Sequence, residues 1–353
     1  MPTVDINLFV HNGAKTLSAA IDSVLAQTWS DWRLTLLDDG STDETWAIVE
    51  AYAAAYPAIS VKQNRCNTGA VGAFQRGFWI GNADYVMPKS ADDLIAPDFI
   101  ERIIALLVAH PGCAMAHAAG LSFRGRGEVD FVYPESHRLA AIGDDPVQRA
   151  GEVMRRYTSS PSFWGIYRRD AVDRLAPIAT RAGWDHVMLA ELSLYGEIRH
   201  VPEVLYWRRG GGRPVRDLAR AATVEAARGI ALDTPVADPL WRLPCITTAY
   251  AHIENFSVAR LSMDQRARLI ADVQTCFGQR WYPLMQAELA VFRRHVRSAT
   301  ARFDEHGAAM RNFGGLQLMR MLTAVATVLP DADLRTERHQ ISELISQDEL
   351  CPT

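Results

Sequence analysis

Short apolar runs alternate with amphipathic stretches over the first 110 residues. Val4 to Val10 is a largely apolar run suited to a buried strand, and Leu17, Ala20, Ile21, Val24 and Leu25 recur at helical spacing within Thr16 to Gln27. Leu34 to Leu37 predicts a second strand ending in Asp38-Asp39-Gly40. Ser41 and Glu44 have the spacing of a capping box that opens a helix through about Tyr52. Ser60 to Gln63 reads as a third strand, a helix follows Gly69, and Tyr85 to Met87 reads as a fourth strand. Pro97 opens the next helix, with Ile100, Ile103, Ile104 and Leu107 on its apolar side. Strands alternating with helices predict a doubly wound α/β fold whose ligand crevice lies at the carboxyl ends of the strands.

Periodicity weakens downstream. Two or three short strands are expected between Cys113 and Phe131, a loop and a helix over 134–160, a strand at Phe163 to Tyr167, a helix at Trp184 to Tyr195 and a last short strand at Val204 to Trp207. Arg208-Arg209-Gly210-Gly211-Gly212-Arg213 is the most loop-like stretch, and the pattern from Pro214 onward is almost wholly helical. The expected division is a catalytic domain over 1–213, with a donor half 1–110 and an acceptor half 111–213, followed by a helical region over 214–353.

Composition narrows the classes. The chain has 353 residues, 48% hydrophobic and 22% charged, enough for a sizeable core. A net charge of −4 without a long basic run argues against nucleic acid as a partner. No apolar run reaches the roughly 18–20 residues of a membrane span, and Met1 to Asp5 has no basic leader, so a cytoplasmic location is expected. Cys66, Cys113, Cys245, Cys276 and Cys351 are scattered, without a Cys-x-x-Cys pair, which points to reduced thiols.

Carboxylates cluster where strands end: Asp38 and Asp39 after the second strand, Asp92 and Asp93 after the fourth. Adjacent carboxylates facing a crevice repel one another unless a cation or donor groups compensate them. Held with substrate phosphates, such a pair suits magnesium or manganese; solvated turn aspartates are the alternative.

The strings that carry these residues resemble a known family. Asn7 to Gly13, then Ile21-Asp22-Ser23-Val24-Leu25-Ala26-Gln27-Thr28, then Leu37-Asp38-Asp39-Gly40-Ser41-Thr42-Asp43-Glu44-Thr45, resemble the opening of the family-2 inverting glycosyltransferases. The likeness continues through Asn67-Thr68-Gly69 and Ser90 to Pro97. It implies a GT-A fold: a Rossmann-like, mostly parallel sheet with flanking helices, here followed by a helical C-terminal region. It also implies a nucleotide-diphospho-sugar donor, a UDP-sugar above all, and a divalent metal, Mn2+ or Mg2+.

By this resemblance Phe9, His11, Asn12 and Asp39 would bind the nucleotide, His11 standing where the family has a base-stacking tyrosine. Arg65 and Gly69 would lie along it. The family's Asp-x-Asp is Ser90-Ala91-Asp92 here, so the first carboxylate is absent. Asp92 and the adjacent Asp93 would hold the metal, with Ser90 and Ala91 lining the donor. Asp185, in Gly183-Trp184-Asp185-His186, would be the general base, with His186 a weaker alternative base or a polar neighbour; a first-turn helix carboxylate is the plain alternative. Gly165 would let a sugar approach the backbone, and Arg209 and Arg213 would close over the diphosphate.

The helical region offers less. Trp241, Tyr250, Phe256, Trp281, Phe292, Met319 and Met321 are expected in its core, and Arg293, Arg294, Arg297 and Arg320 outline a basic face that could touch an anionic membrane bearing a lipid-linked acceptor, a solvated helix face being the plain alternative. Gln279-Arg280-Trp281 falls short of the Gln-x-x-Arg-Trp signature of processive synthases, because position 277 is Phe277. A glycan or lipid-linked acceptor, a homodimer and a role in bacterial surface-glycan assembly complete the expectations. A catalytically silent nucleotide-sugar-binding or scaffolding protein is the alternative that the missing carboxylate motivates. No glycine-rich phosphate loop follows the first strand, which argues against a nucleotidyltransferase or a dinucleotide-dependent oxidoreductase.

Overall fold

The computed structural model describes residues 2–125, 127–157, 160–177, 183–210, 243–259, 261–306 and 315–349. They fall into two compact units. One comprises Met1–Thr180 and Met188–Arg216, the other Arg181–Val187 and Asp217–Thr353. The boundary expected after residue 213 lies outside the described residues.

The first unit is built on one nine-stranded sheet. Strands β1 (Val4–Val10), β2 (Trp32–Asp38), β3 (Ile59–Gln63) and β4 (Tyr85–Ser90) run parallel in the order β3-β2-β1-β4. Helices α1 (Leu17–Leu25), α2 (Thr45–Ala55) and α3 (Gly69–Gly77) make the crossovers. Central strand β1 is buried on both faces, as a parallel strand between helical layers must be. Val4, Ile6, Leu8 and Val10 join a core with Leu17 and Ile21 of α1 and with Ile100 and Ile103 of α4 (Phe99–Ala109). On the other face the Phe9 ring meets Phe74 of α3 at 5.5 Å between centroids.

The Gln27-Thr28 pair is architectural. Gln27 donates to the Ala96 carbonyl (2.7 Å) and accepts from the Ile100 amide (3.0 Å), and the Thr28 amide donates to the Pro97 carbonyl (2.8 Å). These bonds fasten the end of α1 to the start of α4, just beyond the fourth strand's loop.

The second half of the sheet differs from expectation. Cys113–Arg124 is one continuous strand, β6, and Glu128–Val132, β7, folds back on it. After α5 (Pro146–Arg156), the strand expected at Phe163 to Tyr167 shrinks to β8 (Ile166–Arg168), because 160–163 form a 3-10 turn. α6 (Arg169–Val172) and α7 (Trp184–Tyr195) lead to β9 (Glu197–Arg209), thirteen residues instead of four. β9 pairs in parallel with β6, and its register skips Pro202 and Glu203 between Ala118↔Val201 and Ala119↔Val204. Proline has no ladder amide and marks such bulges; with the polar residues around it, this hides the strand from pattern reading. Near its end β9 pairs antiparallel with β5 (Leu94–Ile95), which the sequence pattern also missed.

The capping box does not form. Asp43 takes the bonds from the Thr45 amide and hydroxyl, while Ser41 Oγ accepts from the Asn12 amide at 2.9 Å. Glu44 is exposed. The turn after β2 brings Ser41 back to the β1 loop, so Ser41 caps that loop instead of its own helix.

In the second unit, helices α8 (Pro244–Val258), α9 (Met263–His306), α10 (Gly315–Val328) and α11 (Arg335–Glu349) bury Phe256, Trp281, Phe292 and Met321, as the spacing predicts, and also Phe277, which it did not single out; Tyr250 and Met319 are only half-buried, and Trp241 lies outside the described residues. Glu288 accepts from the Cys245 and Ile246 amides (both 2.9 Å), capping α8 from the middle of α9. The expected basic face is partly consumed: Arg293 pairs with Glu337 at 3.3 Å and donates to the Asp333 carbonyl. Among the described residues no helix is long and apolar enough to cross a membrane.

The Asp38-Asp39 turn depends on Gly40, at φ +69°, where an added Cβ would lie 2.6 Å from the Cys66 carbonyl carbon. Gly40→Ala is expected to destabilise this unit by about 1–3 kcal/mol from backbone strain, with the close approach adding to it. Urea denaturation followed by circular dichroism measures the loss.

Candidate donor site

Four loops meet at the carboxyl ends of the parallel strands. β1 pairs with β2 through Val10↔Asp38 and with β4 through Phe9↔Ser90, so the loops that leave these strands are neighbours. Gly13 sits against Val10 and faces Ala91, with a hypothetical Cβ 3.8 Å from the Ala91 Cβ.

The β1 loop is held rigidly. Asn12, at φ +51°, accepts from the Thr42 amide at 2.8 Å. Asn and Asp are among the few non-glycine residues that adopt this region. The Gly13 amide donates to Thr45 Oγ1 (2.9 Å) and the Ala14 amide to Asp43 (3.2 Å). His11 stands exposed, its Nδ1 3.0 Å from the Asp39 carbonyl, which orients the ring at the mouth.

The aspartates after β2 do not both face open space. Asp38 is fully buried and accepts from the Ser41 amide (3.1 Å) and from Gln63 (3.0 Å). Asp39, only 2% exposed, accepts from Asn64 Nδ2 (2.6 Å), Thr68 Oγ1 (2.7 Å) and the Thr68 amide (3.0 Å). It thereby pulls the 64–68 loop over the β2 end. Arg65 is exposed on that loop, and Gly69, at φ +75°, starts α3 with its amide on Asn67 Oδ1. Phe9 is engaged from below by Phe74 and by Gly77, where a Cβ would meet its ring at 2.2 Å. It therefore packs beneath the loops.

The β4 loop separates its two carboxylates. Asp92 is exposed and accepts from Ser90 Oγ. Asp93 is 3% exposed; its Oδ2 accepts from the Tyr206 hydroxyl and its Oδ1 from the Arg209 amide (2.7 Å). Beneath them Lys89, fully buried, donates to the carbonyls of Ser90 (2.7 Å) and Asp93. Burial pushes the Lys89 ammonium down to about 8. Burial, and then the neighbouring Asp92, push the Asp93 carboxyl up to about 6, against the pull of Lys89 and of its two donors. Burial and Asp93 together hold the Tyr206 phenol well above its ordinary value.

Arg209 binds this loop to the hairpin opposite. Its Nε donates to the Asp92 carbonyl (3.0 Å), its Nη1 to the Gly125 carbonyl (2.9 Å), and its guanidinium lies 4.6 Å over the Phe123 ring. Arg208 donates to the Tyr133 hydroxyl at 3.3 Å. Arg213 lies outside the described residues.

Of the four strand-end carboxylates, then, only Asp92 is open to a ligand. Among the described residues no three His, Cys, Asp or Glu side chains converge on a metal position. A divalent ion fits here only as one carboxylate, Asp92, completed by donor phosphates and water, an arrangement common for magnesium. At Gly165 a Cβ would meet the Ala116 carbonyl at 2.3 Å, so its smallness serves the packing of β6. Asp185 is half-buried at the start of α7 and accepts from the His186 amide at 2.9 Å; residues 181–187 group with the helical unit.

Sequence reasoning missed Lys89, Tyr206 and Tyr133. Lys89 was findable, since a lysine within the Tyr85–Ser90 run needs an internal partner if the strand is buried. Tyr206 carried no such signal.

The Glycosyl transferase family 2 sequence profile matches residues 6–171. That segment is a family-2 glycosyltransferase domain. EpsE of Bacillus subtilis is 34% identical over 110 residues, covering 31% of this chain and 40% of EpsE. The uncharacterized glycosyltransferase alr2836 of Nostoc is 26% identical over 222 residues, 62% of this chain and 68% of that protein. The uncharacterized Escherichia coli glycosyltransferase YibD is 28% identical over 166 residues, which is 47% of its length. The chain thus spans less than half of EpsE and YibD. The crystal structure of Staphylococcus aureus TarS 1-349 superposes with a TM-score of 0.50 at 17% identity, covering 79% of this chain and 82% of that one, and shares the GT-A fold.

Tyr206→Phe removes a hydroxyl donor from buried Asp93 and is expected to cost about 1–3 kcal/mol. The shift in urea midpoint at constant slope checks it.

Proposed function

We propose that the protein transfers a sugar, with inversion, from a nucleotide-diphospho-sugar to an acceptor hydroxyl. The observation that carries the donor half is the exposed Asp92, set by Lys89, Asp93 and Arg209 at the meeting point of four strand-end loops in a family-2 domain. His11 would face the base, with Arg65 and Gly69 along the nucleotide. Phe9, Asn12, Asp39 and Asp93 act by holding the loops. Ser90 keeps the Asp92 carboxylate aimed.

Mn2+ or Mg2+, when bound, would stabilise charge on the departing diphosphate as a Lewis acid. Asp185 is the proposed base, on the resemblance around Gly183 to His186. It takes the acceptor hydroxyl proton while the acceptor oxygen bonds the anomeric carbon. The bond from that carbon to the diphosphate breaks, and the nucleoside diphosphate leaves with the electron pair. A UDP-sugar donor and a glycan or lipid-linked acceptor of bacterial surface-glycan assembly suit this chemistry; they rest on the family likeness.

Calorimetry with UDP, dTDP, GDP and CDP, each with and without manganese, is expected to show one nucleotide binding more tightly with the ion. Asp92→Asn should lose that enhancement and keep the metal-free affinity. Equal binding of Asp92→Asn with manganese would remove Asp92 as the anchor.

Asp185→Asn should bind donor normally and turn over about a hundredfold or more slowly. Wild-type protein that binds a sugar nucleotide yet transfers to no acceptor and to no water would favour the silent scaffold instead.

A further inference from the structure

The start of α7, with Asp185, is bedded on the helical unit. Gly183, at φ +70°, lies directly on Thr248 of α8: a Cβ there would fall 2.3 Å from the Thr248 hydroxyl oxygen. No other residue fits that contact. Three residues on, the buried His186 ring places Nδ1 2.8 Å from Nε2 of His252, also on α8. The two rings meet edge to face at 4.9 Å.

Aromatic side chains surround the pair. Phe277 of α9 contacts both imidazoles, at 5.7 and 5.4 Å between centroids. Trp281 closes on His186 at 5.8 Å, and Phe256 on His252 at 5.6 Å. Burial drives the His252 imidazole down to about 3, so it stays neutral. One ring of the pair then donates and the other accepts. Such a bond is directional and, in an apolar surround, expensive to leave unmade. The same residue that makes it, His186, donates its amide to Asp185 Oδ1 at 2.9 Å. Two hydrogen bonds thus run in series from the candidate base to α8.

We propose that His252 is a positioning residue for Asp185, acting through the His186–His252 bond. The proposal rests on the reading of Asp185 as base. A general base must come within hydrogen-bond reach of the proton it takes. A displacement of about 1 Å can cost about a hundredfold in rate.

The test uses the full chain. It follows release of nucleoside diphosphate from the sugar nucleotide that binds in calorimetry, with water standing in as acceptor, across a pH series. His252→Gln retains a polar group near the Nε2 position; His252→Asn is one methylene too short to reach His186. The Asn variant is expected to lose about tenfold or more in kcat, with a displaced acidic limb in its pH profile. Its donor KM and nucleotide affinity should stay at wild-type values. The Gln variant should recover most of the rate. His252→Leu replaces His252→Asn if the latter fails to melt cooperatively.

Equal kcat for the wild type and the Asn or Leu variant, with Asp185→Asn inactive, overturns the positioning role and leaves the base reading standing. Losses in donor affinity that match the losses in kcat also overturn it, since they would mark general damage. Full activity of Asp185→Asn overturns the base reading and the proposal together.

Discussion

A buried carboxylate with a defined set of donors organises the donor end of the molecule. Asp93 lies out of water, and ionised it needs compensation. Lys89 supplies the charge from below, Tyr206 and the Arg209 amide supply hydrogen bonds from β9. This joins the loop after β4 to a strand more than a hundred residues later. The Arg209 side chain extends the join to the β6–β7 hairpin through Gly125. With Asp93 consumed by this lock, Asp92 is the carboxylate of the β4 loop that stays exposed.

The same logic governs the β2 end. Asp38 and Asp39 are both turned inward to hold the turn and the 64–68 loop. Both carboxylates fasten the loops at the strand ends. One carboxylate of the four, Asp92, remains exposed at these strand ends. The absence of the family's first aspartate, replaced by Ser90, is consistent with this: the serine hydroxyl orients Asp92 without adding a charge.

The helical unit is more than an appendage to its own core. Its α8 and α9 residues enclose the Gly183–His186 turn, which explains why residues 181–187 group with it although they lie far upstream in the chain. The paired imidazoles of His186 and His252 in an aromatic enclosure give that turn a fixed orientation, where a solvent-exposed helix start would fray.

Local patterning in the sequence determined the alternation of strands and helices through Leu107, the burial of both faces of β1, the strand-end placement of the motifs and the packing of Phe256, Trp281 and Phe292. These depend on side-chain period and on turn chemistry, which neighbouring residues carry between them. The tertiary structure alone decided the length of β9, the failure of the Ser41–Glu44 cap, the smallness of Gly165, the freedom of Asp92 against the commitment of Asp93, and the partner of His186. Each depends on a donor, an acceptor or a backbone brought from elsewhere in the chain. A strand such as β9 is stabilised by its partner β6 as much as by its own apolar content. A carboxylate becomes ligand or fastener according to which donors reach it, and those donors are 113 and 116 residues away for Asp93.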